Sequence, residues 1–224
     1  MSSIKPIKVW GKGGPNPPKV AIVLEELGLP YEAVVVPLAD VKKPEYLAVN
    51  PNGRLPAIHD PNTNITLWES GAIVEYLVEK YDAGHKISFP AGSPESYEAR
   101  QFLYFQASGQ GPYYGQAAWF KKFHHESLPS ALDRYVKEVQ RVTGVLEKVL
   151  SEKKVSPGQD GPWLVGGKCS VADLAFISWQ NVIGIIFDKT DYNLEGYPHV
   201  KAWQDRIFAR PAVQAGLGKS EKLQ

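Results

Sequence analysis

Asn50-Pro51-Asn52-Gly53-Arg54-Leu55-Pro56-Ala57-Ile58, followed after a polar turn by Ile65-Thr66-Leu67-Trp68-Glu69-Ser70, is the stretch that decides the fold. Asn50 to Gly53 is a dense turn signal. Leu55 to Ile58 is an apolar run with a proline near its entry, and proline belongs at a strand's first residues or on an edge because it cannot donate to a ladder. Backbone groups beside it are then open to an extended peptide, which can pair with them as an added strand does. Asp60 to Asn64 reads as a hairpin turn and Ile65 to Trp68 as the returning strand. Ala72, Ile73, Tyr76 and Leu77 set a helical period, so Ser70 falls at a helix N-terminus, where free N–H groups and the macrodipole favour an anion. With the Glu69 carboxylate beside it, such a terminus can hold both charges of an α-amino-acid head group.

Upstream, Ile4 to Trp10 alternates like a strand. A loop of Gly and Pro follows, and a helix carrying Val20, Val23, Leu24 and Leu27 on one stripe ends at Gly28 and Pro30. Tyr31 to Val36 is rich in β-branched residues and reads as a second strand. A strand–helix–strand unit of this kind has a right-handed crossover. With the later strand–strand–helix it spells βαβ–ββα, the thioredoxin-like layout. Asn16 with Pro17 behind it reads as a helix cap followed by the first helical position. The Gly-rich loop has neither the lysine–serine ending of a P-loop nor the spaced glycines of a dinucleotide site.

The 224 residues carry a net charge of +1 and one cysteine, Cys169. That balance gives no footprint for nucleic acid or an anionic membrane, and a single cysteine excludes an internal disulfide framework. The N-terminus lacks a signal-peptide core, and no apolar run approaches the ~20 residues of a membrane span. No nucleic-acid or membrane partner is expected, and the location expected is cytoplasmic.

Turn residues between Tyr81 and Ser93 mark a domain boundary. Beyond it no strand is convincing. Glu95 to about Glu126 reads as a long helix interrupted near Gly109 to Pro112, and Pro129 to Lys153 as a second. Ser170 and Asp173 form an N-cap pairing before the run Leu174 to Ile177. Tyr197 to Val213 reads as a last helix with a polar tail. Adjacent His124 and His125 point apart on a helix and read as surface.

The Pro56 strand with Glu69-Ser70 resembles the glutathione-binding signature of the glutathione transferases. Gly14-Pro15-Asn16, the helix from Lys19 to Leu24 with its Glu-Leu-Gly ending, and Phe105 to Gln116 resemble the fungal nitrogen-regulator branch and its bacterial nu-class relatives. The resemblance runs from Ile7 to about Leu217. It implies an α+β thioredoxin-like N-terminal domain over 1–83, a linker over 84–92, and an all-α domain over 93–224. It also implies a cis bond before Pro56, with the backbone of Leu55 pairing to the cysteinyl part of glutathione. Glu69 and Ser70 would take the γ-glutamyl head group, and Lys42 and Arg54 would lie near the glycyl end, where many relatives have a histidine and this chain has Val41. That family activates the thiol through Tyr, Ser or Cys in the first loop. None stands between Trp10 and Lys19, which leaves Asn16 as the catalytic candidate. Tyr113 and Tyr114 would line a pocket for a small hydrophobic electrophile or a peroxide.

The activity implied is glutathione transfer, with glutathione as co-substrate, no tightly bound cofactor or metal, and a homodimeric assembly serving detoxification. Disulfide reduction and a regulator acting through a protein partner are the alternatives. Strand one follows directly on Met1-Ser2-Ser3, so no Asn/Gln-rich assembly segment is expected.

Overall fold

The computed structural model describes residues 4–221; the Met1–Ser3 start and the last three residues of the expected tail lie outside them. Four strands form one sheet in the order β2-β1-β3-β4. β1 (Ile7–Trp10) runs parallel to β2 (Tyr31–Val34), with Val9 opposite Ala33, and antiparallel to β3 (Ala57–Asp60), with Val9 opposite Ile58. β4 (Ile65–Trp68) closes the hairpin with β3. Ile7 and Val9 are buried while Lys8 is exposed, the period-2 alternation that fixes which face of β1 meets the core.

Parallel strands need a crossover, and α1 (Asn16–Leu27) provides it. Its stop is local chemistry: Gly28 adopts φ 64° and its N–H bonds back to the carbonyls of Leu24 and Glu25. Short α2 (Pro44–Leu47), not expected from the sequence, precedes the Asn50 turn. α3 (Ser70–Tyr81) begins where the period placed it. The strand expected from Leu55 starts instead at Ala57, and the Leu55–Pro56 bond is cis. Pro56 therefore stands ahead of the ladder and removes no hydrogen bond from it.

Helices make up the rest: α4 (Pro94–Phe105), α5 (Gly111–Lys122), α6 (Pro129–Glu152), α7 (Val171–Ile186), α8 (Pro198–Phe208) and α9 (Pro211–Glu221). The interruption expected near Gly109 is a five-residue π-helical segment, Gln106–Gln110, rather than a break. Pro112 explains it: a proline lacks the N–H that would bond four residues back, and its ring crowds that carbonyl, so the extra residue relieves both. His124 and His125 lie past the end of α5, and their rings stack 4.6 Å apart instead of diverging.

Contacts divide the chain into two compact units, one comprising Ser88–Ala209 and the other the chain up to Ile87 together with Arg210 onward. The C-terminal stretch, read from sequence as part of the helical domain, thus clusters with the sheet. Two features of this stretch account for it. Gly216 lies so near α1 that a Cβ would stand 2.6 Å from Ile22 Cγ1 and 2.8 Å from its backbone nitrogen. Arg210 also clamps the buried Glu26 with two hydrogen bonds, of 2.6 and 3.0 Å, and Lys86 lies 3.4 Å from the same carboxylate. Burial works to raise the Glu26 pKa, but the hydrogen bonds and charges of Arg210 and Lys86 outweigh it and hold it below the ordinary value.

The helical unit packs Tyr114, Val139, Val142, Trp179 and Ile183 in one cluster. α7 is started by Ser170, whose Oγ accepts from Ala172 N while Ser170 N donates to Asp173. Asp173, fully buried, also accepts from Leu164 N and Trp203 Nε1, both at 2.9 Å. It ties the entering loop, α7 and α8 together, which is more than a cap. Burial pushes its pKa up in spite of these donors.

Candidate functional site

The site is built on the first unit. Asn16 and Ser70 are the first residues of α1 and α3, two helices that pack against each other. Asn16 does not cap α1: Pro15 holds the cap position and no side chain bonds there. Its Oδ1 instead accepts, at 3.4 Å, from the ammonium of Lys19. That ammonium also donates to Ser70 Oγ at 3.0 Å. Lys19 is only 2% exposed. Burial pushes its pKa from 10.5 down to about 7, with the Glu69 carboxylate pulling the other way. So Asn16 and Ser70, far apart in sequence, meet at one buried cation that sequence reasoning did not single out.

Glu69 joins β4 to α3 with φ 71° and ψ 111°, a conformation rarely adopted by a residue with a side chain. Such backbone costs on the order of 1–3 kcal/mol and persists where the surroundings fix it. Its carboxylate is exposed and accepts from Asn52 Nδ2 at 3.4 Å. Behind it, Asp60 receives the hydroxyl of Tyr76 at 2.6 Å, that of Tyr81, and Asn62 N at 2.8 Å. Burial works to raise the Asp60 pKa, but these donors prevail and hold it low. The end of β3 is thereby tied to the body of α3, which fixes where Ser70 stands.

The Asn50 turn is fixed from inside. Buried Asn50 accepts from Asn52 N at 2.9 Å and donates to Arg54 O at 2.6 Å, and Tyr46 Oη donates to the same carbonyl at 2.8 Å. Gly53, at φ 58°, is required, since a Cβ there would lie 2.6 Å from Val41 O. Lys42 Nζ donates to Asn52 O at 2.7 Å, so it braces this turn, and the side chain of Arg54 is exposed. Leu55 is half-buried and takes no part in the sheet register, which begins at Ala57.

Of the two tyrosines expected to line a co-substrate pocket, Tyr114 is corrected. It is 0% exposed in the helical core, with its hydroxyl 3.0 Å from Thr143 Oγ1 and its pKa raised by burial. It faces its own unit's core because Tyr114, Ala117 and Ala118 share the buried side of α5. Tyr113, half-buried, packs against Tyr135 at 6.4 Å between ring centroids, with Arg134 over its face. Among the described residues no group of three or more His, Cys, Asp or Glu is placed to hold a metal. No helix among them is long and apolar enough to cross a membrane.

A four-stranded mixed sheet with its helices, a following all-α unit, and a loop–cis-proline–strand–Glu-Ser unit define a class of protein, and sequence comparison agrees with that class. Residues 14–80 match the Glutathione S-transferase, N-terminal domain family and residues 112–211 the Glutathione S-transferase, C-terminal domain family. The chain belongs to the glutathione S-transferase family. It is 66% identical over 218 residues to the glutathione S-transferase-like protein tpcF of Aspergillus fumigatus, covering 97% of each chain. Among solved structures, it is similar to the glutathione transferase URE2P6 from Phanerochaete chrysosporium in complex with oxidised glutathione, with 46% identity, a TM-score of 0.89 and 98% of each chain covered. It is similar too to the nitrogen regulation fragment of the yeast prion protein Ure2p, with 35% identity, a TM-score of 0.83, and 97% of this chain and 98% of that one covered.

Proposed function

We propose that this protein binds glutathione and stabilises its thiolate for attack on an electrophile or a peroxide. The observation that carries the reading is the meeting of Asn16 and Ser70, at the N-termini of α1 and α3, on the buried ammonium of Lys19. Helix N-termini favour anions, and glutathione offers these two its γ-glutamyl carboxylate and its thiolate. Ser70 and Glu69 take the γ-glutamyl carboxylate and ammonium, and the backbone of Leu55 beside Pro56 pairs with the cysteinyl residue. Lys42 and Arg54 serve the glycyl carboxylate, for which Lys42 gives up its bond to Asn52. Asn16 donates its amide to the sulfur. A free thiol has a pKa of about 8.5, and a donor at a helix N-terminus enriches the thiolate at neutral pH. Tyr113 contacts the hydrophobic co-substrate. The working form is a cytoplasmic homodimer serving detoxification, and glutathione is a co-substrate rather than a resident cofactor.

A second reading, a glutathione-binding regulator without turnover, draws support from the likeness to the nitrogen regulation fragment of Ure2p. A third, glutathione-dependent disulfide reduction, draws it from the relative solved with oxidised glutathione. Calorimetric titration with glutathione, followed by steady-state assays with an aryl halide, a hydroperoxide and a mixed disulfide, separates the three. Binding with aryl-halide or hydroperoxide turnover supports the transferase, and turnover confined to the disulfide moves the reductase ahead. Binding without any turnover leaves the regulator, and absence of binding removes all three.

A further inference from the structure

We propose that Lys19 is a positioning residue that sets the hydrogen-bond polarity of Asn16 and Ser70, so that both present donors to one anionic ligand. The inference rests on the glutathione reading above and assigns a role within it. An ammonium only donates. At Ser70 it occupies a lone pair of Oγ, at 3.0 Å, and leaves the hydroxyl proton to point elsewhere. At Asn16 it occupies Oδ1, at 3.4 Å, and turns the amide nitrogen away from itself. One cation thereby orients an O–H toward the carboxylate end of the ligand and an N–H toward its sulfur.

The surroundings of Lys19 argue against a purely structural purpose. It lies in the opening turns of α1 and touches the first residue of α3. Both helix ends are positive, and a cation there is electrostatically unfavourable. Residues that stabilise such ends are acidic, yet the first turns of α1 and α3 contain no acidic residue. The Glu69 carboxylate acts on Lys19, and it is exposed, strained in backbone, and assigned above to the ligand's ammonium. A cation at two positive helix ends offsets their repulsion when it helps to orient donors toward an anion.

The test is a double-mutant comparison built on Lys19→Met, which keeps the apolar stem and removes the charge. Glutathione affinity is measured by calorimetry in the parent, Lys19→Met, Ser70→Ala and the double variant. The pKa of the bound thiol is measured from its ultraviolet absorbance in the parent, Lys19→Met, Asn16→Ala and that pair combined. Circular dichroism checks folding throughout. The expected result is an affinity loss of about 30-fold in Lys19→Met, shrinking to a few-fold in the Ser70→Ala background. The bound thiol pKa rises toward its free value in Lys19→Met and does not respond to that change once Asn16 is Ala. If Lys19→Met folds poorly, Lys19→Leu, which likewise removes both the donor and the charge, takes its place in both cycles. A folded Lys19 variant with parental affinity and thiol pKa overturns the assignment and leaves glutathione binding standing. Effects that simply add to those of Ser70→Ala and Asn16→Ala also overturn it. A parent that binds no glutathione removes both readings.

Discussion

Two buried charges, Lys19 in the sheet-containing unit and Asp173 in the helical unit, are almost equally hidden and differently used. Asp173 accepts from Leu164 N, Ser170 N, Ser170 Oγ and Trp203 Nε1. Two of these are backbone groups and a third is a core tryptophan, so every partner is an element it holds in place. Lys19 instead contacts the side chains of Asn16 and Ser70, at the starts of two helices. Asp173 complements a helix start that wants negative charge, and Lys19 opposes two of them. Asp173, which agrees with its helix, is part of the fold; Lys19, which opposes two, is in our reading the charge that serves a ligand.

Substitution should separate the two. Asp173→Ala strands the Trp203 indole N–H and the Leu164 amide, and at 1–3 kcal/mol for each buried unsatisfied donor the loss is about 4 kcal/mol in urea unfolding. The sequence alone suggested an ordinary cap, on the order of 1 kcal/mol; the two figures are far enough apart to be told from each other. Arg210→Gln leaves Glu26 buried with its clamp gone, for a loss of about 3 kcal/mol at neutral pH. Because the folded pKa of Glu26 is depressed, the parent's advantage is present above the unfolded value near 4.5 and fades as pH falls through the folded one.

Lys19→Met goes the other way and should raise stability by about 2 kcal/mol at pH 7 or below, while weakening glutathione binding. The sign follows from proton counts. Between pH 7 and 10.5 the unfolded chain holds the Lys19 proton and the folded one has released it, so the parent gains stability as pH rises through that window. The gain from the mutation is therefore largest at pH 7 and below and vanishes toward 10.5. Urea melts at pH 6.5 and 9.5 check it; destabilisation at pH 6.5 would make Lys19 a folding residue like Asp173. The smallest effect is expected at the exposed pair Lys137–Asp133 on α6, 2.7 Å apart, where Lys137→Ala should stay within about 0.5 kcal/mol.

The order of the sheet's elements was legible because each carries its own period and stop signals: alternation at Ile7 and Val9, Gly28 after α1, the turn before Ile65. The cis bond before Pro56 followed from resemblance, and the residues around it give no local sign of it. Lys19 was legible and overlooked. With Ile22, Val23 and Glu26 it occupies positions i, i+3, i+4 and i+7, all four buried on α1, so two charges stand on an apolar stripe. A charge on such a stripe marks either a buried ion pair or a ligand, and here Glu26 is the first and Lys19, in our reading, the second. The placing of α9 was not legible. Gly216 looks like a poor helix residue until its closeness to Ile22 explains it. Tyr114 could not be told from Tyr113 because the choice depends on which side of α5 meets Val139, Val142 and Trp179.

The ultraviolet absorbance of the bound glutathione thiolate, followed against pH in the parent and in Asn16→Ala, tests the central claim most directly. The account predicts a bound thiol pKa well below the free value of about 8.5, returning toward it in the variant while affinity is kept. A bound pKa equal to the free value, unchanged by the substitution, would contradict it and leave a protein that holds glutathione without activating it.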